Sequence, residues 1–331
     1  MNKKISVIGS GGWGTAVALL LAKKENDVTL WSWQKEESDN LAKYHENKPF
    51  LPGVILPDNI SFTSDLEQCA DAELIVMATP SSAVSATAKN LSPMIKEGQT
   101  ILNISKGLDP ETRLRLSQII RKHIPQADIA VMSGPSHAEE VSRGLPTTNV
   151  VAADNEKLAQ KIQDIFMHGT FRVYTNSDMI GVEMGGTLKN VIAICAGITD
   201  GLGFGDNTKA ALMTRGIAEI ARLGVAMGAK PETFAGLSGI GDLIVTCTSM
   251  HSRNRRAGIL IGKGKSCQEA VAEVKMVVEG VPTTKSGYYL AKEYGVDMPI
   301  TAQAYEILFN GKKPKDAVME LMMRDKKHET F

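Results

Sequence analysis

The sequence predicts a doubly wound α/β domain over residues 1–177 and an all-helical domain over residues 178–331. Strand-like and helix-like segments alternate in the first half, and the strands are near-continuous runs of Val, Ile and Leu. Such runs, in contrast to period-two patterns, are typical of a largely parallel sheet covered by helices on both faces. After Asn176-Ser177-Asp178 the strand signals end, and long segments of helical period rich in Gly, Ala and Met follow.

Seven strands are predicted along the first domain. They cover residues 5–8, 28–31, 74–78, 100–104, 129–132, 149–153 and 171–175, and helical patterns separate most of them. In the second domain, residues 179–197 are apolar on nearly every side, which indicates a helix buried at the centre. Pro231 and Pro299 mark the starts of later helices.

Composition excludes several classes of protein. A chain of 331 residues is longer than one typical core needs, so two domains are expected. The 37 basic and 37 acidic side chains give no net charge, which argues against a nucleic-acid partner. No run of 18 apolar residues is present, so no membrane insertion is expected. The four cysteines lack the spacing of a zinc site or a disulfide framework, so we expect reduced thiols, no metal and a cytoplasmic protein.

The glycine-rich segment after the first strand carries the first chemical signal. Strand 5–8 runs directly into Gly9-Ser10-Gly11-Gly12-Trp13-Gly14 and then into a helical segment. In this order Gly9 permits a tight turn, Gly11 lets a pyrophosphate approach the backbone, and Gly14 lets the helix pack close to the strand. The helix N-terminus adds N–H groups and the positive end of its dipole. The alternative is a flexible loop, but the order favours a dinucleotide site of the Rossmann type.

The end of the second strand bears on which dinucleotide is bound. Strand 28–31 ends in Ser32-Trp33-Gln34, where an NAD-selective site commonly places Asp or Glu for the ribose hydroxyls. That acid is absent, and Glu36 and Glu37 are expected to begin the next helix. Trp33 could stack on an adenine or cover the edge of the sheet. The missing acid favours NADP, with NAD as the open alternative.

Lys189 lies inside the buried helical segment. Its neighbours three and four positions away are Gly185, Gly186, Ile192 and Ala193. None is a carboxylate, so the ammonium must find a partner elsewhere in the fold or in a ligand, or lose its charge. Asp242, which opens a short helix and shares a face with Thr246, is a candidate partner. The alternatives are a lysine that reaches solvent at a domain edge and an aspartate that only caps its helix.

Three further segments could hold a ligand. Lys106 follows strand 100–104, and Gly134 and Ser136 follow strand 129–132, at the strand ends where doubly wound folds bind ligands. Ser136 is expected to cap the helix that begins at Ala138. A phosphate could bind at the segment Ser252-Arg253-Asn254-Arg255-Arg256. It combines a capping serine, side chains with forked hydrogen-bond donors and a helix N-terminus. The respective alternatives are a solvated lysine, a plain turn and a solvated basic face.

The sequence contains no arrangement typical of nucleophilic or metal-assisted catalysis. The six histidines are scattered, and no Ser-His-Asp or Cys-His constellation is present. A proton-transfer role therefore falls to a lysine. Hydride chemistry needs one such group, because the cofactor carries the hydride. Asn190, next to Lys189, is either a polar core residue or a substrate contact.

Together these motifs resemble the family of bacterial NAD(P)-dependent sn-glycerol-3-phosphate dehydrogenases. The resemblance follows nearly the whole chain in order, through residues 9–14, 105–107, 133–136, 171–174, 185–191, 197–201, 241–243, 252–255 and 277–280. It implies interconversion of dihydroxyacetone phosphate and sn-glycerol 3-phosphate with NAD or NADP, for phospholipid synthesis, by a homodimer. The family often carries an arginine where this chain has Gln34, and Lys35 is a possible substitute.

The resemblance also implies roles for single residues. Lys189 is implied as the proton donor or acceptor at the C2 oxygen. The residues implied to line the small phosphorylated substrate are Lys106, Gly134, Ser136, Lys189, Asp242, Ser252, Arg253 and Asn254. With the glycine loop and the end of the second strand included, the residues expected at the nucleotide are Gly9, Gly11, Gly12, Trp13, Gly14, Trp33, Gln34, Lys106, Ala138, Arg253, Val277 and Glu279. The alternatives are another two-domain hydroxyacid or sugar-acid dehydrogenase and a non-catalytic protein that senses NAD(P)H.

Overall fold

The structure is a computed structural model that describes residues 2–326, 328 and 329. Its contacts divide the chain into two compact units, residues 1–182 and residues 183–331. The predicted boundary after residue 177 lies just before a long helix, Met179–Gly201, which continues across the division. Met1 and Phe331, the outer limits of the two predicted domains, lie outside the described residues.

An eight-stranded sheet forms the centre of the first unit. Its strands are β1 (Lys4–Ile8), β2 (Asp27–Trp31), β3 (Ile60–Thr63), β4 (Leu74–Met77), β5 (Thr100–Asn103), β6 (Asp128–Ser133), β7 (Thr147–Ala153) and β8 (Phe171–Asn176). They lie in the order β3-β2-β1-β4-β5-β6-β7-β8, and every neighbouring pair is parallel except β6 and β7. The predicted doubly wound, largely parallel sheet is therefore confirmed.

Strand β3 is absent from the prediction. It is only four residues long and lies at the edge of the sheet, where Ile60 and Thr63 are buried and Ser61 is exposed. A short edge strand needs few apolar side chains, so its sequence does not form the continuous apolar run that marks the central strands.

Helices cover the sheet of the first unit. They are α1 (Gly12–Ala22), α2 (Lys35–Tyr44), α3 (Glu67–Ala70), α4 (Val84–Leu91), α5 (Leu116–His123), α6 (Ala138–Ser142) and α7 (Glu156–Phe166). Helix α1 is buried from Gly14 to Ala22 and packs in one core with the strand residues Leu30, Val76 and Leu102. The strand-to-helix connection at Gly9–Gly14 is thereby attached to the apolar core of the unit.

The second unit is helical throughout its described residues. Helix α8 (Met179–Gly201) leads into α9 (Asp206–Ala226), α10 (Asp242–Thr248), α11 (Arg253–Gly262), α12 (Cys267–Val274), α13 (Gly280–Glu293), α14 (Pro299–Asn310) and α15 (Pro314–Met322). A 3₁₀ turn over Pro231–Ala235 and a π-helical turn over Leu237–Gly241 precede α10. Helix α8 has the length and apolar composition of a membrane span, but 94% of its most apolar window is buried in the protein, as in the core helix of a soluble domain.

Helices α8 and α11 cross at four glycines. A β-carbon placed on Gly197 or Gly258 would lie 2.1 Å from a carbonyl oxygen of the opposite helix, and one on Gly201 or Gly262 would lie 2.4 Å from one. Atoms cannot approach so closely, so only glycine permits this backbone-to-backbone packing. The crossing holds the N-terminal part of α11 beside the central helix of the unit.

Candidate active site

The glycine loop adopts the conformation that its spacing predicts. Gly9 has φ +123°, and a β-carbon on it would lie 2.8 Å from the carbonyl group of Ala78. A β-carbon on Gly14 would lie 1.9 Å from the Gly9 carbonyl oxygen, so α1 can approach β1 only with glycine there. Gly11, at the N-cap of α1, has no such neighbour within 4 Å. The backbone is therefore open where a pyrophosphate would lie, and the loop fits a dinucleotide.

Ala138 and Asn47 lie beside this loop, and only Ala138 was predicted. A β-carbon on Gly12 would lie 3.6 Å from that of Ala138, which places Ala138 beside the start of α1 as expected. Buried Asn47 was missed. Its amide donates to the Ser10 carbonyl oxygen and to the Thr15 hydroxyl, both at 2.7 Å. Asn47 thus fixes the loop from a segment without regular structure, and only the fold reveals that contact.

Lys106, Gly134 and Ser136 come together at the carboxyl ends of β5 and β6. Lys106 Nζ donates to the Gly134 carbonyl oxygen at 3.1 Å, and Ser136 Oγ donates to the same oxygen at 2.9 Å. The expectation that Ser136 caps α6 is wrong, because His137 occupies the N-cap position. The Ser136 hydroxyl instead stabilises the turn over residues 134–136 through its hydrogen bond to the Gly134 carbonyl oxygen.

The segment after β2 is exposed to solvent over residues 33–36. Trp33 is 74% exposed, and β3 forms the edge of the sheet, so Trp33 does not cover that edge. Gln34 is the N-cap residue of α2 without a side-chain capping bond, and Glu36 and Glu37 lie in the first turn as expected. Lys35 Nζ contacts both oxygens of Asp39 at 2.8 Å. A 2′-phosphate would have to compete with that carboxylate for Lys35.

In the second unit, Lys189 has a buried charge partner. Its Nζ lies 2.5 Å from Asp242 Oδ1 and 2.6 Å from Thr246 Oγ1. The side chains of Lys189 and Asp242 are 7% and 1% exposed. The predicted pairing of Lys189 with Asp242 is confirmed, and Gly241 rather than Asp242 is the N-cap of α10. Thr246 was recognised only as sharing the face of Asp242, and the structure adds it to the pair.

Glycines allow this pair to form. A β-carbon on Gly185, one helical turn before Lys189, would lie 2.6 Å from the carbonyl oxygen of Ser238 in the π-helical turn. A β-carbon on Gly239 in that turn would lie 2.1 Å from the carbonyl oxygen of Phe234. The turn therefore packs directly on the backbone of α8, and α10 begins within reach of Lys189.

Asn254 joins three elements of the second unit. Its amide nitrogen donates to Asn190 Oδ1 at 2.9 Å, and its amide oxygen accepts from the N–H of Gly280 at 2.8 Å. Gly280 begins α13, directly after Val277 and Glu279, the residues expected at the nucleotide. The sequence left Asn190 undecided, and the structure places it in a buried amide network with Asn254.

The N-terminus of α11 has the predicted capping residue. Ser252 Oγ accepts from the Arg255 N–H at 3.2 Å, and Arg253 is the first residue of the helix. A phosphate here would meet the N–H groups and the positive dipole of a ten-residue helix together with an arginine.

Three of the four cysteines are buried, and Cys267 is half-buried. Cys69, Cys195, Cys247 and Cys267 are free, and burial raises the pKa of Cys69 and of Cys247 to about 12. A thiol that stays protonated is a poor nucleophile and a poor metal ligand. Within the part of the chain that the structure describes, no group of three or more His, Cys, Asp or Glu side chains could hold a metal ion.

Two family models match the chain in order. The model of the NAD-dependent glycerol-3-phosphate dehydrogenase N-terminus matches residues 4–159, and that of the C-terminus matches residues 178–319. Curated relatives named glycerol-3-phosphate dehydrogenase [NAD(P)+] are similar over nearly their whole length. The protein from Moorella thermoacetica is 56% identical over 99% of this chain and 98% of its own, and that from Fusobacterium nucleatum is 54% identical over 98% of both.

Solved structures agree with the family models. The crystal structure of glycerol-3-phosphate dehydrogenase from Coxiella burnetii matches with a TM-score of 0.95 and 37% identity, over 98% of this chain and 99% of that one. The glycerol-3-phosphate dehydrogenase structure from Saccharomyces cerevisiae matches with a TM-score of 0.84 and 26% identity, over 98% of this chain and 100% of that one. By sequence and by fold, the chain belongs to the NAD-dependent glycerol-3-phosphate dehydrogenase family.

Proposed function

We propose that this protein interconverts dihydroxyacetone phosphate and sn-glycerol 3-phosphate, using NAD(P)H in the reductive direction. The observation that carries the proposal is the buried Lys189–Asp242 pair with Thr246, because a buried ammonium held by a carboxylate is a positioned proton donor. Membership of the family supports the substrate class, and the open glycine loop supports a dinucleotide as the cofactor. The product would supply the glycerol backbone of phospholipids.

Lys189 acts on the C2 oxygen of the substrate. When bound, the nicotinamide supplies the hydride that reaches C2. Lys189 gives one ammonium proton to the O2 atom as the carbonyl bond becomes a hydroxyl group, and the lysine is left neutral. Asp242 then favours rapid return of a proton from solvent, because a buried carboxylate beside a neutral amine lacks its countercharge. Thr246 fixes the amine, since it accepts from Nζ and donates to the Asp242 carbonyl oxygen at 2.6 Å.

The remaining predicted residues bind and orient the substrate and the nucleotide. We assign the substrate phosphate to Ser252, Arg253 and Asn254 at the N-terminus of α11, so that binding far from C2 fixes the position of C2. Lys106, which is fixed to the Gly134 carbonyl group near Ser136, is assigned to negative charge on the substrate. The nucleotide is assigned to Gly9, Gly11, Gly12, Trp13 and Gly14 of the glycine loop, with further contacts from Trp33, Gln34, Lys106, Ala138, Arg253, Val277 and Glu279.

NADP is the preferred cofactor in this proposal. None of Ser32, Trp33 and Gln34, the three residues directly after β2, is acidic, so the usual carboxylate for the ribose hydroxyls is missing there. Lys35 is close enough in sequence to meet a 2′-phosphate once it leaves Asp39. We further propose that the protein is a cytoplasmic homodimer. Exposed apolar side chains on α13, α14 and α15, among them Tyr289, Phe309 and Met319, support the dimer.

One assay tests the activity and both alternatives. The absorbance of NADPH and of NADH is followed with dihydroxyacetone phosphate and, separately, with a panel of keto acids. We expect oxidation with dihydroxyacetone phosphate and a lower KM for NADPH than for NADH. Turnover with keto acids alone would identify another dehydrogenase, and no oxidation with any substrate would indicate a sensor. A strong preference for NADH would overturn the assignment of NADP.

A further inference from the structure

The turn between α10 and α11, Ser249–Ser252, connects two parts of the proposed site. Helix α10 before it carries Asp242 and Thr246, and Arg253 follows it directly. Met250 and His251 at its centre are exposed, so apolar packing does not fix the turn. Polar contacts therefore shape the turn, among them the bond from the His251 N–H to Ser249 Oγ at 3.1 Å.

Arg255 supplies several of those contacts. Its Nη1 donates to the carbonyl oxygen of Thr248, the last residue of α10, at 2.7 Å, and lies 3.2 Å from Met250 Sδ. Its own N–H donates to Ser252 Oγ. One side chain and its backbone therefore contact the start, the middle and the end of the α10–α11 turn.

Asp200 holds Arg255 in turn. This aspartate lies in the last turn of α8, and its Oδ2 accepts from Arg255 Nε at 2.8 Å, while its Oδ1 lies 2.7 Å from Lys209 Nζ of α9. All three side chains are 17% exposed or less, so water screens the charges only in part. The planar fork of arginine is needed here, because Nε and Nη1 serve two partners at once.

We propose that Asp200 and Arg255 are positioning residues for substrate binding. They hold the α10–α11 turn so that Arg253 and Asn254 keep the arrangement that receives the phosphate, although neither Asp200 nor Arg255 touches the substrate. The inference rests on the proposed function, since it concerns the phosphate site of that reaction. Lys209 contacts the second oxygen of Asp200, so both carboxylate oxygens have a cationic partner.

The test separates positioning from stability. Asp200→Asn keeps the shape of the side chain but removes its charge, and Arg255→Lys keeps the charge but removes the fork. In each variant we expect the KM for dihydroxyacetone phosphate to rise about 10- to 100-fold, the size expected for a binding group displaced by about 1 Å. The kcat should fall by a much smaller factor, and the KM for NADPH should rise less than the KM for dihydroxyacetone phosphate, because Arg253 is the one expected nucleotide contact that the turn positions directly. Asp297→Asn is the control, because it removes an aspartate paired with Arg324 in the same unit, away from the turn.

Two outcomes would overturn the proposal. The first is a lower melting temperature with an unchanged KM for dihydroxyacetone phosphate, which would make the pair structural only. The second is an equal rise of KM in Asp297→Asn. The double variant, Asp200→Asn with Arg255→Lys, should raise KM no more than either single variant, since both break one interaction. A wild-type protein that fails to oxidise NADPH with dihydroxyacetone phosphate would instead contradict the proposed function.

Discussion

The ammonium of Lys189 is surrounded by protein, and its partners lie on one turn of α10. Asp242 and Thr246 are four residues apart and therefore share a helix face, so both reach the same nitrogen. Removal of either charge leaves the other buried without its countercharge, which is strongly destabilising in protein interiors. The pair therefore links the proton chemistry at Lys189 with the stability of the second unit.

We expect Lys189→Ala to lower turnover by at least about 10²- to 10⁴-fold, the range of a lost general acid. The dissociation constant of NADPH should not change, because Lys189 is not among the residues assigned to the nucleotide. Steady-state kinetics and a fluorescence titration with NADPH measure the two quantities. Lys263→Ala, which removes an exposed lysine of the same unit, is the control. Near-normal turnover by the Lys189 variant would rule out the proton-donor role.

The sequence predicted those site residues whose signal is local. A lysine in an apolar helix with no carboxylate three or four positions away needs a distant partner, and that reasoning reached Asp242. Asn47 was out of reach, because an asparagine in an irregular loop has no pattern that demands a partner, so its contacts with Ser10 and Thr15 appear only in the fold. Ser136 was assigned wrongly because a serine before a helix matches the capping pattern whether or not it occupies the N-cap position.

Among the helices, α14 has an unusual cap that comes from another helix. Glu219 of α9 is buried, and its carboxylate accepts from the N–H groups of Ile300 and Thr301 in the first turn of α14, at 2.7 and 3.2 Å. Burial raises the pKa of Glu219 to about 7, although these hydrogen bonds and the nearby charge of Arg222 lower it in part. The link between α9 and α14 therefore contains a group that titrates near neutral pH.

This cap predicts a pH dependence of stability. The folded state binds the Glu219 proton more tightly than the unfolded state does, so the stabilisation is complete below about pH 4.5 and is lost as the pH rises through about 7. Between pH 5 and pH 8 the free energy of unfolding of the wild type should fall by on the order of 3 kcal/mol relative to that of Glu219→Gln, whose side chain cannot ionise. Urea unfolding followed by circular dichroism at both pH values measures this. The surface variant Glu232→Gln should show no such change, and a pH-independent difference for Glu219→Gln would contradict the account.

Helix and strand predictions differed in quality for a physical reason. Helix α8 was predicted from residue 179 because burial on all sides leaves a long apolar signal, and only its last turn was missed. Strand β3 was missed because an edge strand of four residues is stabilised by its neighbour β2 rather than by its own apolar content. An element that is stabilised mainly by a neighbouring strand cannot be predicted from its own residues.

At the scale of the whole molecule, the two-part architecture followed from the sequence, but the strand directions did not follow in full. The antiparallel pairing of β6 and β7 could not be predicted. The connection between them, residues 134–146, contains only the five-residue helix α6, which is short for the crossover that a parallel pair requires. A strand pattern alone does not distinguish the two directions, since both place the same apolar side chains in the core.

The proposed homodimer is tested on the intact protein. Tyr288 and Tyr305 stack with ring centres 4.1 Å apart, and Tyr289 and Phe309, which contact these rings, are exposed. A single chain has a mass of 35.7 kDa, so light scattering at micromolar concentration should give twice that value. Phe309→Lys should shift the mass toward one chain, because a charge is costly to bury in an apolar interface. A wild-type mass of one chain would contradict the dimer.

The glycine crossing of α8 and α11 has a consequence for saturation mutagenesis. At Gly197, Gly201, Gly258 and Gly262 even alanine would place an atom against the opposite backbone. A screen that scores only enzymatic output would rank these four positions beside Lys189, although none of them is assigned to a ligand. Substitutions at these positions would fail because the two helix backbones are too close for a side chain. A parallel measurement of protein abundance would distinguish these positions from the residues that perform the chemistry.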